Sequence, residues 1–280
     1  MLIREGRGRM MMDREEEVRL LCEVLGSVAS QMSGAMTNIH AALRKLTAEG
    51  LGDGKDEKYA AILTQSYYRL LRLEGNMSAA PLLAGEPVRC DPETDIVSWL
   101  EQLVLEAQPL AREQGLELTF HSTQESCQVI MSRRLMERAV WNLLSNAMKF
   151  TPAGGRIDVS LDFRGGQALL TVADNGCGIS QEMMAVIFER YLHPERMDPQ
   201  SHGLGLGLPL CRRIAEGHGG RLLLTSREGE GTTATMALPC ENPGLLRDSA
   251  PVMPDGFQRA LVGLSDALSY RAFTRRNLDE

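Results

Sequence analysis

With 280 residues, 43% of them hydrophobic and 24% charged, and a formal net charge of −7, the chain has the balance of a globular protein with room for two ordinary domains. The acidic balance argues against electrostatic binding to nucleic acid or to an anionic membrane surface. No stretch approaches the roughly 18 apolar residues of a spanning helix, and the charged start MLIREGRGRMMMDREEEV lacks the apolar core of a signal peptide. The six cysteines (Cys22, Cys90, Cys127, Cys177, Cys211 and Cys240) form no CxxC pair and no Cys/His run at metal-ligand spacing. Free thiols in a reducing, cytoplasmic setting are therefore the expectation.

In chain order, Val18, Leu21, Leu25, Val28, Met32, Ala35, Ile39, Ala42 and Leu46 recur at alternating spacings of three and four. That is a heptad seam, and it predicts an amphipathic helix over 13–47. The glycines of EGLGDGKD (49–56) end it. A second amphipathic helix carries Tyr59, Ile62, Ser66, Leu70, Leu73 and Met77 on one face and stops near Pro81. Together these predict an antiparallel helical hairpin over 13–80. Because a lone hairpin leaves its seam half wet, pairing of two copies into a four-helix bundle, and hence a homodimer, is expected.

Residues 81–93 read as a Gly- and Pro-containing linker, and residues 94–240 as a mixed α/β domain. The expected elements are a helix over 94–114 closed by Gly115, strands at 116–120 and 128–131, and a helix from Ser132 to Phe150. Strands at 156–163 and 167–174 follow, turned by Arg164-Gly165-Gly166, then a short helix at about 180–189. A glycine-rich stretch (201–207), a helix to about Gly217 and strands at 221–226 and 232–238 complete a mixed sheet with helices on one face. The tail, 241–280, holds an amphipathic helix with Phe257, Leu261, Leu264 and Leu268 on its apolar stripe. Docking against the rest of the chain explains that stripe better than an external partner does.

Four segments carry chemistry. In WNLLSNAMKF (141–150), Asn142, Asn146 and Lys149 project from one helix face while Val140, Leu143, Leu144 and Ala147 face the sheet. Two amides and an ammonium suit a Mg²⁺–polyphosphate; alone, they are equally a solvated face. In VADNGCGIS (172–180) a strand delivers Asp174, a carboxylate able to accept from an exocyclic amine, followed by Gly176 and Gly178. Alone this is an ordinary turn. In SHGLGLGLPLCRRI (201–214), Gly203, Gly205 and Gly207 run into a helix with Pro209 in its first turn, a backbone able to bind phosphate or to be a flexible turn. In GEGTTATMALP (229–239), Gly231-Thr232 opens the last strand.

In this order and spacing the four segments resemble the N, G1, G2 and G3 boxes of the GHKL ATPase superfamily, and IFERY (187–191) resembles its F box. NLLSNAMKFTPAGGRI and GLGLPLCRRIAEGHGG are closest in wording to sensor histidine kinases, and Phe150-Thr151-Pro152 after Lys149 favours kinases over gyrase, Hsp90 or mismatch-repair relatives. The resemblance covers roughly residues 94–239. It implies an α/β sandwich of the Bergerat type that holds ATP and Mg²⁺ under a mobile lid. Carried over by position, it makes Asn146 the main Mg²⁺ ligand with Asn142 beside it, and sets Lys149 on the phosphates. Asp174 would read the adenine amine with help from Thr232, while Gly176 and Gly178 make room for the base. Gly203 and Gly205 would shape the phosphate end, Arg190 would lie near the nucleotide, and residues from His193 to His202 would form the lid. Ser201 stands where the first glycine of the G2 box is usual, which implies weakened affinity at most.

The hairpin departs from that family. Laid over the H box, VLGSVASQMSGAMTNI (24–39) keeps the hydrophobic register, but the acceptor histidine falls on Ser30, the following acid is Gln31 and the usual proline is Ala35. A serine hydroxyl with no adjacent base is a poor substitute for imidazole. His40 lies ten residues on, about 15 Å along a helix, and is the alternative acceptor. The leading expectation is an ATP-binding, histidine-kinase-like protein of two-component signalling with a response regulator as partner. The alternative is a catalytically silent pseudokinase acting as an ATP-gated binding module. A serine/threonine kinase of the anti-sigma-factor type shares the ATP fold, but the hairpin counts against it.

Overall fold

The computed structural model describes Met36 and residues 54–90, 94–188, 207–240 and 258–274. The expected first hairpin helix (Met36 apart), Ser30, His40, Arg190, the lid, Gly203 and Gly205 lie outside the described residues. Helix α1 (Gly54–Ser78) falls where the second helix of the expected hairpin was placed; it is followed by a 3₁₀ turn, Ala80–Ala84, that carries Pro81 near its start and closes on left-handed Gly85.

The α/β part begins with β1 (Thr94–Asp95) and α2 (Ile96–Glu113). The Asp95 carboxylate caps α2 by accepting from the Val97 amide at 3.2 Å, and it also takes the Cys127 amide at 3.0 Å. The helix buries the predicted stripe, Ile96, Trp99, Leu100, Leu103, Ala107 and Leu110. There follow β2 (Glu117–Ser122), β3 (Gln128–Val129), α3 (Arg133–Phe150), β4 (Arg156–Arg164), β5 (Gln167–Asp174), α4 (Gln181–Val186), α5 (Gly207–Gly217), β6 (Arg221–Arg227) and β7 (Gly231–Pro239). Five strands form one sheet in the order β2-β4-β5-β7-β6, with β2 parallel to β4 and the other pairs antiparallel. Alternation sorts the faces: Ile157, Val159, Leu161, Ala168, Leu170 and Val172 join the core shared with α2, α3 and α5. The strand expected at 128–131 is shorter and pairs with β1 in a separate two-stranded ribbon, so it adds nothing to the main sheet.

The tail forms α6 (Arg259–Leu264) and a 3₁₀ turn (Tyr270–Phe273), with Leu261, Leu264, Leu268 and Phe273 buried. It lies against α1, α2 and α3. This contact changes the reading of α1. Ile62 and Leu70 of the expected seam are 37% and 38% exposed, whereas Ala61, Gln65, Tyr67 and Tyr68 are buried. The rings of Tyr68 and Phe273 sit 5.5 Å apart. Helix α1 therefore has two working faces: Ile62 and Leu70 of the predicted stripe lie outward, while its Leu73 lines the cavity and its Met77 is buried. Among the described cysteines, Cys127, beside α2, and Cys240, just after β7, bring their sulfurs together, while Cys90, Cys177 and Cys211 are free. Among the described residues no helix is long and apolar enough to cross a membrane.

His218, just past α5, ties that helix to the start of α3. The Ser132 amide donates to its Nε2 at 2.9 Å, so Nε2 is unprotonated, and Nδ1 carries the proton to the Ile214 carbonyl at 2.7 Å. Burial lowers its pKa below the ordinary 6.5. As pH falls below 6.5, the unfolded chain takes up a proton that the native protein refuses. Native stability is thus lost from there down to the depressed native pKa, and levels off beneath it. Urea midpoints followed downward from neutral pH are expected to fall more steeply for the wild type than for His218→Gln; parallel curves would exclude His218 as the titrating group.

Candidate nucleotide-binding site

Helix α3 presents two chemistries because its period sorts them. Val140, Leu143, Leu144 and Ala147 are buried on the sheet side, while Asn142, Asn146 and Lys149 border a cavity of about 510 Å³. Asn142 is only 2% exposed, since α1 crosses above it. The Lys149 ammonium rests 5.3 Å from the centre of the Phe150 ring.

The other end of the cavity is set by strand register. Asp174, the last residue of β5, pairs directly with Thr232 near the start of β7. That pairing brings the Thr232 amide within 3.2 Å of Asp174 Oδ1, and the Gly176 amide donates to the same oxygen at 2.9 Å. Burial raises the pKa of this carboxyl, and the two amides pull the other way. Ser226 of β6 braces the corner. Its hydroxyl accepts from the Ile179 amide (2.9 Å), donates to the Gly231 carbonyl (2.8 Å) and sits 2.9 Å from the Thr232 hydroxyl.

The two expected glycines do different work. Gly178, at φ 67°, lines the cavity, and a Cβ there would run into the Arg227 backbone. Gly176 is behind the cavity, where a Cβ would strike the Phe150 carbonyl. Its smallness lets the loop cross the end of α3, so that the Cys177 amide can donate to that carbonyl at 3.1 Å. Helix α5 brings Gly207 and Leu208 to the cavity, with Gly207 beside the Asn142 amide.

Asn142, Asn146, Lys149, Asp174, Gly178 and Thr232 are thus brought round one cleft. The family of histidine kinase-, DNA gyrase B- and HSP90-like ATPases matches residues 131–242. This is a GHKL ATPase domain of the histidine-kinase type. Sensor protein kinase PmrB of Pseudomonas aeruginosa is 30% identical over 242 residues, 84% of this chain and 48% of that protein. Histidine protein kinase DivJ of Caulobacter vibrioides is 40% identical over 112 residues, 40% of this chain and 19% of that protein. The chain spans about half the length, or less, of the curated relatives it matches. Full-length ShkA, solved in complex with AMPPNP, shares the fold with a TM-score of 0.56 at 22% identity, over 77% of this chain and 47% of that one.

The histidine-kinase-like domain does not build its cleft alone. Arg69, Arg72, Leu73 and Asn76 of α1 and Asp266 of the tail complete the wall. Arg72 donates to Asn142 Oδ1 at 3.0 Å, to Ser145 Oγ at 2.5 Å and to the Gly263 carbonyl, and its Nε lies 3.4 Å from Asp266. Of these wall residues only Leu73 stood out in the sequence, as part of the apolar face of the second helix. Arg69, Arg72 and Asn76 share a face by their spacing of three and four, but such a stripe reads as solvated until the tail is seen to cover it.

The residues fit the nucleotide that this domain type binds: an amine-accepting carboxylate at one end, and amide oxygens with an ammonium at the other. A carboxylate with a raised pKa gives the site a pH signature. Affinity for an adenine nucleotide is expected to fall on acidification, starting above the range of an ordinary carboxyl as Asp174 takes a proton and loses an acceptor. Asp174→Asn should bind at least about tenfold more weakly at neutral pH and lack that step. An unchanged acid limb in the variant would assign it to another group.

Proposed function

We propose that the cleft binds ATP with Mg²⁺ and that the chain acts as a phosphotransferase of the two-component type, in the cytoplasm and as a homodimer through residues 13–80. The observation that carries this reading is the Asp174 carboxylate, which backbone amides hold in a cleft that also carries Asn146 and Lys149. Asp174 accepts from the adenine amine while Thr232 holds the carboxylate in place. Asn146 supplies a hard oxygen to Mg²⁺, Lys149 neutralises phosphate oxygens, and the start of α5 offers its amides to the chain of phosphates. The metal, when bound, neutralises charge that develops on the transferred phosphoryl group. Asn142 joins the metal shell once Arg72 has left it, because its amide oxygen is otherwise committed.

Ser30 at the usual acceptor position puts the nucleophile elsewhere, and His40 is the imidazole ten residues further along the sequence. From there the phosphoryl group passes to an aspartate of a response regulator. The solved complex of histidine kinase ThkA with response regulator protein TrrA, of the same fold with a TM-score of 0.52, supports a partner of that kind.

The deciding measurement is incubation of the full chain with Mg²⁺ and γ-labelled ATP, the phosphosite being mapped near neutral pH so that phosphohistidine survives. Acid-labile label that disappears in His40→Ala is the expected result. In Asn146→Ala, loss of one ligand to a charged group, about 1.5–3 kcal/mol, should cut labelling at least tenfold. ATP binding that Asn146→Ala destroys, with no label at all, would instead make the chain a nucleotide-gated binding module.

A further inference from the structure

We infer that the C-terminal segment, residues 258–274, is a latch on the nucleotide cleft: it holds Arg72 of α1 on Asn142, so that loading of Mg²⁺–nucleotide onto α3 requires its release. The inference rests on the nucleotide reading of the cleft and adds a control built from residues outside the ATPase domain.

The latch is anchored at both ends of its contact with the rest of the chain. Arg259 bridges Glu106 of α2 at 2.7 Å and Glu137 of α3 at 3.3 Å. Gly263 lies flush on the Trp141 indole, where a Cβ would overlap ring atoms. Along α1, Gln65 Nε2 donates to the Leu268 carbonyl at 2.6 Å and Arg69 Nε to the Ser265 carbonyl at 3.1 Å. Each contact joins α1 to the tail, so the tail glues α1 to α3.

Arg72 is where this glue meets the chemistry. A buried guanidinium is costly unless its N–H groups are paired. Here the tail supplies the Gly263 carbonyl and the Asp266 carboxylate, and α3 supplies Ser145 and Asn142. Without the tail, Arg72 loses its counter-ion and a carbonyl acceptor, and keeps only the neutral acceptors Ser145 and Asn142 among those named. With the tail in place, the Asn142 oxygen accepts from a cation. A Mg²⁺ ligated by the same oxygen would sit within a few ångströms of the guanidinium, in a cleft where charges repel more strongly than in water. Arg72 and Mg²⁺ are therefore alternatives at Asn142. The pairing of Arg72 with Asp266 also argues against a polyphosphate-binding role, since a phosphate would have to displace the carboxylate first.

Two full-length variants test this. Gly263→Val places a side chain against Trp141 on α3 and dislodges α6 while leaving Asn142, Asn146, Lys149 and Asp174 themselves unchanged. Arg72→Met keeps much of the volume and removes the cation, and it carries the test should Gly263→Val fail to fold. A fluorescent, non-hydrolysable ATP analogue is titrated with Mg²⁺ and again with chelator. If the latch is open about a tenth of the time or less, both variants bind Mg²⁺–nucleotide about tenfold or more tightly than the wild type, with a smaller change in chelator. In the wild type, Mg²⁺–nucleotide should also raise amide hydrogen exchange across 258–274. Equal affinities in the three proteins would overturn the latch and leave the nucleotide reading standing. Weaker binding by Arg72→Met would overturn it in favour of Arg72 as a polyphosphate contact. No binding by any of them would overturn the nucleotide reading, and the latch with it.

Discussion

The pairing of β5 with β7, with Asp174 opposite Thr232, is the constraint from which the rest of the site follows. It places a carboxylate at the end of one strand against the first amides of its neighbour. A shift of one residue would send Asp174 to the opposite face of the sheet and exchange the core set Ala168, Leu170 and Val172 for their polar-side neighbours. The register is therefore held by the hydrophobic core, and the site inherits its precision from packing. The Asp174 corner of the cleft is in this sense a by-product of well-specified pairing between two central strands.

That position has a cost, and the surrounding loop is organised to offset it. A half-buried carboxylate disfavours its own charge, as the raised pKa of Asp174 records. Two backbone amides on one oxygen favour the charge, and Ser226 fixes the strand ends that present them. Close approach of Gly176 to the Phe150 carbonyl and of Gly178 to the Arg227 backbone brings that loop down onto α3. Thus the carboxylate end and the amide–ammonium end of the cleft are connected through the C-terminus of a single helix.

Much of this was legible in the sequence, for a physical reason. Residues in α3, β4, β5 and β7 meet their neighbours through a regular period, so the spacing of Asn142, Asn146 and Lys149, or the alternation in 156–163, carries their orientation directly. The boundaries that moved are those set by distant partners. The strand at 128–131 was cut to two residues because its partner is β1 and not the sheet, and the approach of Cys127 to Cys240 brings together residues 113 apart with no local motif. The wall made by Arg72, Asn76 and Asp266 was illegible for the same reason. Its members come from segments separated by some two hundred residues, and each looks like an ordinary surface polar group alone.

The two faces of α1 connect these points. Its outward face leaves Ile62, Leu63 and Leu70 at 37%, 54% and 38% exposure, apolar residues that a heptad partner would cover. Its inward face spends Gln65, Tyr68, Arg69 and Arg72 on the tail and on α3. A rigid helix transmits rotation along its length, so it cannot turn its outward face toward a new partner while Arg72 stays seated on Asn142. Rearrangement on the hairpin side and occupancy of the nucleotide side are therefore coupled through one guanidinium. Because such coupling is reciprocal in binding free energy, the latch as proposed implies that a ligand or contact that shifts the outer face of α1 shifts nucleotide affinity, and that nucleotide shifts the outer face by the same factor.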